Sequence, residues 1–518
     1  MARKEPRPPA KLHERLSLTI VVRRCRNQTC SRYQQACRPE EEGRWALPHG
    51  ECGLDLIAQV GALRYREHRS ISEIHQHLQE RHIQICERTV EHTLHRYDEL
   101  VSVHIHQRDR LYALMHKQGR AILALDGLQP DVGHEVLWII REVLSGEILL
   151  ARALLSSSQE DLAALLTEVK EALPIPVTGL ISDGQLSIRK AVAAVFPDKP
   201  HQLCHFHYLR EAAKPIYEAD RHAKKELKKH VRGIRPIERS LEGQTDEEAH
   251  VMRDYCLAVR SALTDDGRPP LEASGLKLHD RLSQIRTSID RVAEKRGLPK
   301  PLERLQTMLK KGLQATETDW ETLEQVYGWV HQIAEVFDET QPLRCEERQG
   351  RFGLILLQMQ EYADQSGSNW KQAVAYFLKV TQSYGPHLFF CYQIPDLPRT
   401  NNELEQAFGQ VRFHERRATG RRAALPGLVV HGAVRVQAAL ATRLRRFTAH
   451  ELAPYDIQAW RTLRAEVFTR QEGRRKQWRF RKDPPAYLAA LEAQLRGTGT
   501  TPPDVMPPPG AANEPFPG

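Results

Sequence analysis

Short apolar runs predict a group of β-strands between residues 121 and 204. Nearly continuous runs bounded by Gly and polar turns occupy 121–126, 136–143 and 148–153, and such runs are typical of strands buried on both faces. The pattern then predicts four further elements in the order helix, strand, helix, strand, which lie at 159–173, 177–182, 187–196 and 202–204. The resulting order, βββαβαβ, predicts an antiparallel meander joined to parallel strands through helical crossovers.

Helical periodicity predicts α-helices over most of the remaining chain. Residues 208–383 lack strand patterns and carry long charged amphipathic segments, so we expect a helical insertion there. The apolar pattern of the core resumes near 388–394, and a helix is predicted to begin near Asn402. Basic helices follow to about Arg496, and the Pro/Gly-rich tail over 497–518 cannot bury enough apolar surface to become ordered.

A helix, a short break and a second helix are predicted between residues 70 and 97. Ser70 and Glu73 fit a capping box at the start of the first helix. The spacing is typical of a helix-turn-helix, whose second helix enters the major groove of DNA. Two-helix patterns are also common in α-rich domains that bind no DNA. In the DNA-binding interpretation, the exposed side chains facing DNA are Arg88, Glu91, His92 and His95.

The N-terminal region combines an expected flexible basic arm, residues 1–17, with a cluster of cysteines. Four of the nine cysteines fall within residues 25–52, unlike a disulfide framework spread through a secreted domain. Two short Cys/His pairs bridged by a loop suit the tetrahedral geometry of structural Zn²⁺, so residues 18–55 are predicted to form a zinc ribbon. There are five candidate ligands for the four positions around Zn²⁺. In the alternative interpretation, the cysteines are small buried residues that bind no metal. The candidates are Cys25, Cys30, Cys37, His49 and Cys52.

Positive charge is concentrated towards the end of this 518-residue chain, whose length predicts more than one domain. The net formal charge is +9, yet residues 401–482 alone hold 18 Lys and Arg against 7 Asp and Glu. A local positive surface favours a polyanion such as nucleic acid, because neutralising phosphates releases counterions. A solvated helix surface is the alternative. Because no segment has the length and apolarity of a membrane span or a secretion signal, we expect a cytoplasmic protein without membrane contact.

Two aspartates end predicted strands that are expected to be neighbours in the sheet. Asp126 ends the first strand and Asp183 follows the fourth, so their side chains are expected to converge at the carboxyl edge. Converging carboxylates attract Mg²⁺ or Mn²⁺, and a third would complete a two-metal site for displacement at phosphorus. Glu403 and Glu405 both flank the buried stripe of the later helix, so helix geometry does not choose between them. Strand-end aspartates are also common turn formers, and Glu405 could serve in a capping box.

Four motifs together resemble those of bacterial insertion-sequence transposases of the DDE superfamily, a group that also resembles the eukaryotic Mutator-like enzymes. The motifs are Leu125-Asp126, Ile181-Ser-Asp183-Gly184, Cys204-His-Phe-His207 and Thr400-Asn-Asn-x-x-Glu405. The resemblance covers nearly the whole chain and selects Glu405 as the third carboxylate. It implies a multidomain α+β protein in which a zinc ribbon and a helix-turn-helix precede a ribonuclease-H-like mixed-sheet core that an all-α insertion interrupts. It also implies that Cys204 and His207 support the active site.

Two basic runs follow Glu405, and the first of them resembles the basic segment that follows the family's glutamate. Arginine offers bidentate geometry to phosphate, and aromatics mixed with cations suit stacking on unpaired bases. The first run supplies Arg412, Arg416, Arg417, Arg421 and Arg422. The second supplies Arg474, Arg475, Lys476, Trp478 and Arg479, and a solvated helix surface remains its alternative.

The resemblance implies an enzyme that cleaves transposon ends and joins them to target DNA. Its expected cofactors are two Mg²⁺ (or Mn²⁺) ions at Asp126, Asp183 and Glu405 and a structural Zn²⁺. Its expected partners are double-stranded DNA, both terminal inverted repeats and target, and further copies of the chain in a dimer or larger assembly. The expected location is the bacterial cytoplasm, in association with the nucleoid. A DNA-binding regulator derived from a transposase, without catalysis, and a nuclease of the same fold without strand transfer are the alternatives.

These expectations divide the chain into eight parts. The expected boundaries are an arm (1–17), a zinc ribbon (18–55), a helix-turn-helix with a linker helix (56–118), the first part of the core (119–209), the helical insertion (210–385), the second part of the core with the glutamate (386–446), basic C-terminal helices (447–496) and a disordered tail (497–518).

Overall fold

The computed structural model describes residues 2–7, 18–37, 39–48, 50–129, 135–364, 370–420, 426–454 and 456–497. The expectations for residues 8–17, for His49, for Arg421 and Arg422 and for the tail beyond residue 497 lie outside these ranges. Within them the protein is mixed α+β and mostly helical, with a three-stranded and a five-stranded sheet. No helix in the described ranges is long and apolar enough to cross a membrane.

Eight strands occur in the described residues. They are β1 (Ala2–Arg7), β2 (Leu18–Arg24), β3 (Ala36–Cys37), β4 (Ala121–Leu128), β5 (Val136–Glu142), β6 (Ile148–Leu154), β7 (Val177–Ser182) and β8 (His201–Leu203).

The described residues also form α-helices before, between and after the strands of the five-stranded sheet. They are α1 (Leu54–Tyr65), α2 (Ile71–Glu80), α3 (Glu87–Ile105), α4 (Arg108–Gln118), α5 (Gln159–Ala172), α6 (Leu186–Val195), α7 (His205–Ala212), α8 (Lys214–His230), α9 (Ile234–Arg239), α10 (Glu247–Thr264), α11 (Ser274–Arg296), α12 (Lys300–Gln314), α13 (Glu317–Val336), α14 (Cys345–Asp364), α15 (Lys371–Tyr384), α16 (Asn402–Thr419), α17 (Pro426–Leu444), α18 (Ala449–Leu452), α19 (Ile457–Lys482) and α20 (Pro484–Gly497).

The five-stranded sheet has the strand order β6-β5-β4-β7-β8. The first three strands along the chain are antiparallel, whereas β7 runs parallel to β4 and β8 runs parallel to β7. The apolar runs predicted as strands therefore form strands in the predicted order, and β4 lies at the centre with six of its eight residues buried in succession. The helices α5 and α6 cover one face, where Leu162, Leu166 and Val192 pack against Leu123 and Leu180.

The helical insertion has its own hydrophobic core. Helices α8 to α15 bury a continuous apolar cluster that includes Trp320, Phe352 and Phe377. The cluster continues into α7 through Tyr208, whose hydroxyl lies 2.6 Å from the hydroxyl of Thr381. The insertion therefore folds around its own apolar surface and is joined to the sheet through the helix that follows β8.

The second face of the sheet is covered by helices from both ends of the chain. Apolar residues of α1 to α3 share one cluster with β4, β5 and helices α16 to α19. A buried charge network, defined here as Arg64, Asp98, Glu415 and Arg435, joins these helices. One carboxylate oxygen of Glu415 accepts from Arg64 at 3.0 Å and from Arg435 at 3.1 Å, and Arg435 also donates to Asp98 at 3.1 Å. All four side chains are at most 7% exposed, so the N-terminal helices and α16 and α17 form one packed unit.

Two sequence-based expectations are wrong in detail. Residues 2–7, expected to be part of a flexible arm, form a strand that pairs antiparallel with β2. The apolar run at 388–394 does not return to the sheet but forms 3-10 turns, with Leu388 and Phe389 buried in the core of the insertion. By contrast, the capping box of Ser70 and Glu73 at the start of α2 is confirmed.

Candidate active site

Asp126 and Asp183 lie side by side at the carboxyl edge of the sheet. Strands β4 and β7 are parallel, and Leu125 is paired with Ser182. The residue that follows each of them is an aspartate, so Asp126 and Asp183 occupy matching register positions. Side chains at matching positions of parallel neighbours point to the same side. Asp126 accepts from the backbone N–H of Gly127 at 2.8 Å, and Asp183 accepts from the backbone N–H of Gln185 at 3.0 Å.

Glu405 reaches the same site from the first turn of α16. Its Oε1 lies 3.0 Å from Nε2 of His207 in α7, and its negative charge acts on the carboxyl of Asp126. Glu403, two residues earlier, is 72% exposed and pairs with Arg141 outside the site. The helix pattern leaves these two glutamates equivalent, whereas the packing of α7 against α16 distinguishes Glu405.

The segment before α16 is linked to β4 directly and to β7 through Cys204 by hydrogen bonds of Asn401. The side-chain amide of Asn401 donates to the carbonyl of Leu125 at 3.2 Å, and its backbone N–H donates to Sγ of Cys204 at 3.4 Å. The N–H of Cys204 in turn donates to the carbonyl of Ser182 at 2.9 Å. Asn401 is buried. These contacts fix the start of α16, and with it Glu405, relative to the strand ends.

The electrostatics of the site reflect crowded negative charge. Burial raises the pKa of Asp126 to about 7, and the neighbouring charge of Asp183 adds to the rise. For His207, burial alone would lower the pKa, but Cys204 and the Glu405 carboxylate more than offset this and raise it to about 10. The imidazolium of His207 is thus the positive charge that faces Glu405 at neutral pH.

Tyr384, at the end of α15, is a site residue that the sequence did not indicate. Gly184 follows Asp183, and a Cβ built on it would lie 1.8 Å from the hydroxyl of Tyr384, so a larger residue there would displace the Tyr384 ring. Burial raises the pKa of this phenol to about 12, and the charge of Asp183 contributes. Arg189 of α6 holds the end of α15 through two 2.8 Å hydrogen bonds to Ser383. The helical insertion therefore contributes a side chain to the edge of the site.

The side chains as placed do not form a complete coordination shell. Within the described ranges, no group of three His, Cys, Asp or Glu side chains is arranged so that it could hold a metal ion. One oxygen of Asp126 accepts from the N–H of Gly127, and Oε1 of Glu405 lies within ion-pair distance of His207.

The predicted zinc ligands are brought together only in part. Cys25 and Cys30 are neighbours, and the pKa of the Cys30 thiol is lowered by the backbone of Arg32 and by Cys25. Cys52 is buried beside α3, with its Sγ 3.3 Å from the hydroxyl of Thr93. The side chain of Cys37 and all of His49 lie outside the described part of the chain. The zinc ribbon stays a prediction.

The residues predicted to contact DNA occupy different surroundings. Arg88 and His92 lie on the exposed side of α3. His95 is half-buried: its ring lies 6.4 Å from that of His92 and packs on His431 of α17 at a centroid distance of 4.2 Å, and burial lowers its pKa. The helix bearing these residues is also longer than predicted, and its second half is buried under α1 and α17.

The basic residues of α16 and α19 are mostly exposed. Arg412 and Arg416 are exposed, whereas Arg417 pairs through both nitrogens with Glu73 at 2.9 Å. On α19, Trp478 is 51% exposed. The other predicted residues of this helix lie around it and are exposed or half-buried: Arg474, Arg475, Lys476 and Arg479.

Comparison with known proteins identified no relative: no protein-family model matches the sequence, and no curated protein is similar to it.

Proposed function

We propose that this chain is a DDE-type transposase with a ribonuclease-H-like core, which cleaves transposon ends by metal-dependent hydrolysis and joins them to target DNA. The observation that carries the proposal is that Asp126 and Asp183 follow paired positions at one edge of the sheet and that the charges of Asp183 and Glu405 both act on the Asp126 carboxyl. These residues are distant along the chain, and a structural protein has no need to bring two further acids towards a buried carboxyl.

The donor set fits divalent cations. Carboxylate oxygens are the ligands that Mg²⁺ and Mn²⁺ prefer, and the charge of Asp183 beside the buried carboxyl of Asp126 would favour a bound cation. Asp126, Asp183 and Glu405 would hold the ions. Bound there, two ions would supply Lewis-acid activation of the attacking oxygen and neutralise charge on the phosphate.

The chain's own residues orient the acids. His207 stays protonated and holds Glu405 at 3.0 Å, while Asn401 anchors the start of α16 to β4. Tyr384 covers the backbone that follows Asp183. In the proposed reaction, water attacks a phosphodiester and the P–O3′ bond breaks, which leaves a 3′-hydroxyl and a 5′-phosphate. The 3′-hydroxyl then attacks a target phosphodiester in the same site, and the target's own P–O3′ bond breaks to free a target 3′-hydroxyl. The zinc ribbon, the helix-turn-helix, a synaptic dimer and a cytoplasmic location belong to the same proposal.

The proposal is tested with DNA from both sides of the coding region. Purified protein is incubated with this DNA and a target plasmid, with Mg²⁺ or with EDTA. Mg²⁺-dependent 3′-hydroxyl ends and joined products are expected. Asp126→Asn and Glu405→Gln should lose both products and still bind the DNA, whereas Asp198→Asn, at an exposed turn, should keep them.

Each alternative has its own outcome. Cleavage without joined product would indicate a nuclease of this fold. Binding of the flanking DNA without any cleavage in Mg²⁺ or Mn²⁺ would indicate a DNA-binding regulator. Full cleavage by Asp126→Asn would remove the carboxylate cluster from the mechanism.

A further inference from the structure

Two small cavities line one side of α16 and share a wall. One, of about 200 Å³, is bounded by Gln406, beside Glu405 in the sequence; the other, of about 240 Å³, is bounded by Gln410. Leu440 and Arg443 of α17 border both. The cavities therefore form one groove, here called the α16 groove, along the side of α16 that bears Glu403, Gln406 and Gln410.

The charge of the α16 groove is positive. Arg443 borders both cavities and Arg66 borders the second, and both residues are exposed. No described residue forms a hydrogen bond or ion pair with either guanidinium. Among the residues that line the two cavities, Glu403 is the one acid, and it is already paired with Arg141. The groove thus offers unpaired cations without competing negative charge.

Resting on the proposed function, we propose that the α16 groove holds the phosphate backbone of bound DNA on the side of α16 that bears Gln406 and Gln410, with Arg443 and Arg66 contacting phosphates. Each cavity is below the roughly 300–1,000 Å³ of pockets that enclose a drug-sized ligand. Cavities of this size suit the phosphate groups that repeat along a DNA backbone. Exposed arginines without partners match a phosphodiester, which they bind in bidentate geometry.

The length of the groove agrees with this occupant. From Glu403 to Gln410, α16 rises about 10 Å at 1.5 Å per residue. That distance corresponds to about three nucleotide steps at 3.4 Å each. Neither Arg66 nor Arg443 belongs to the two basic runs that the sequence singled out, so the groove adds a separate DNA contact.

The test measures how DNA affinity depends on salt in the full-length protein. A fluorescent duplex of random sequence is titrated with wild type, with the double variant Arg66→Gln/Arg443→Gln and with Arg304→Gln, an exposed arginine of the insertion. Each lost phosphate contact lowers the slope of log affinity against log salt by about 0.9. The double variant should lose about 1.8 from the slope and bind roughly 60-fold more weakly in 0.1 M NaCl, while Arg304→Gln should match wild type.

The outcomes separate this proposal from the proposed function. Unchanged slope and affinity in a folded double variant would overturn the groove assignment, even if wild type cleaves DNA. Loss of affinity as stated, in a protein that never cleaves, would uphold the groove as a DNA contact and reject the transposase. A double variant that loses binding to poly-glutamate but not to DNA would assign the groove to an acidic peptide and overturn the proposal. Circular dichroism of all three proteins checks that they are folded.

Discussion

Replacing Asp126 by asparagine should stabilise the metal-free protein while removing its proposed activity. The buried carboxyl of Asp126 has its pKa raised to about 7 from an ordinary 3.8, first by burial and then by Asp183. Above pH 7 the carboxyl is ionised in the folded protein, at a cost in stability relative to the unfolded chain, where its pKa is about 3.8. An amide of the same shape carries no charge, and its oxygen can still accept from Gly127.

The magnitude follows from the size of the pKa shift. A rise from 3.8 to about 7 is roughly three pH units, and each unit corresponds to 1.36 kcal/mol. At pH 8 without metal, Asp126→Asn should thus raise the free energy of unfolding by roughly 2–4 kcal/mol, the lower value allowing for imperfect hydrogen bonding of the new amide.

The pH dependence has a definite sign. A carboxyl whose pKa is higher in the folded state stabilises the fold most below its unfolded pKa of 3.8, and that contribution is lost as pH rises to about 7. The stability difference between the variant and wild type should therefore grow from pH 4 to pH 7 and stay constant above it. Mg²⁺ should stabilise wild type by ligand linkage and leave the variant nearly unchanged.

The assay is urea unfolding in EDTA across this pH range, with Asp198→Asn as the matched control. The control replaces an exposed aspartate and should shift the unfolding midpoint little. An Asp126→Asn protein that is less stable than wild type at pH 8 in EDTA would refute the reasoning, because burial and the charge of Asp183 would then not disfavour the ionised carboxyl.

Three further predictions concern the packing around the site. Glu415→Gln leaves the two buried arginines that it bridges with excess positive charge. Urea unfolding should show that the free energy of unfolding falls by about 3–5 kcal/mol. A fall below 1 kcal/mol would contradict a stabilising role for the buried charge network. Gly61→Ala places a Cβ 2.3 Å from the ring of Tyr97. The melting temperature should therefore fall by an amount equivalent to about 1–3 kcal/mol or more. An unchanged melting temperature would show that α1 and α3 can move apart at no cost in stability. Burial lowers the pKa of His201 to about 3 and of His205 to about 4. The free energy of unfolding should therefore fall below pH 6.5 by about 1.4 kcal/mol per pH unit for each of these two histidines. His205→Gln should flatten this dependence on pH, and an identical acid profile would exclude His205 as a source of the acid sensitivity.

The elements of the sheet were predictable because their signal is local. The run 177–182 has the length and continuous apolarity of a buried strand, and the structure places β7 there. The run at 388–394 carries a similar signal but forms turns, because its aromatic residues fill the core of the insertion instead of pairing with β8. Periodicity alone does not distinguish a short buried strand from a buried turn. Residues 2–7 show the opposite error, since their partner strand begins only at residue 18.

The site itself depends on contacts that local sequence does not encode. The two aspartates could be proposed from strand order alone, and the register of β4 and β7 agrees with that prediction. Choosing Glu405 over Glu403 requires the position of His207 on another helix. Tyr384 gives no sequence signal, because its place beside Gly184 results from how the insertion folds back on the sheet. The inward packing of His95 likewise arises from α17, far along the chain.

The two ends of the helical insertion are fastened to each other where they leave the sheet. The N–H of His205, at the start of α7, donates to the carbonyl of Arg399 at 3.0 Å. The entropy of closing a loop grows only with the logarithm of its length, by about 0.6 kcal/mol per doubling. Once these ends are joined, adding or deleting helices between them changes the stability of the sheet very little. The size of this insertion is therefore free to vary over evolution, as long as the residues at its two ends keep their places.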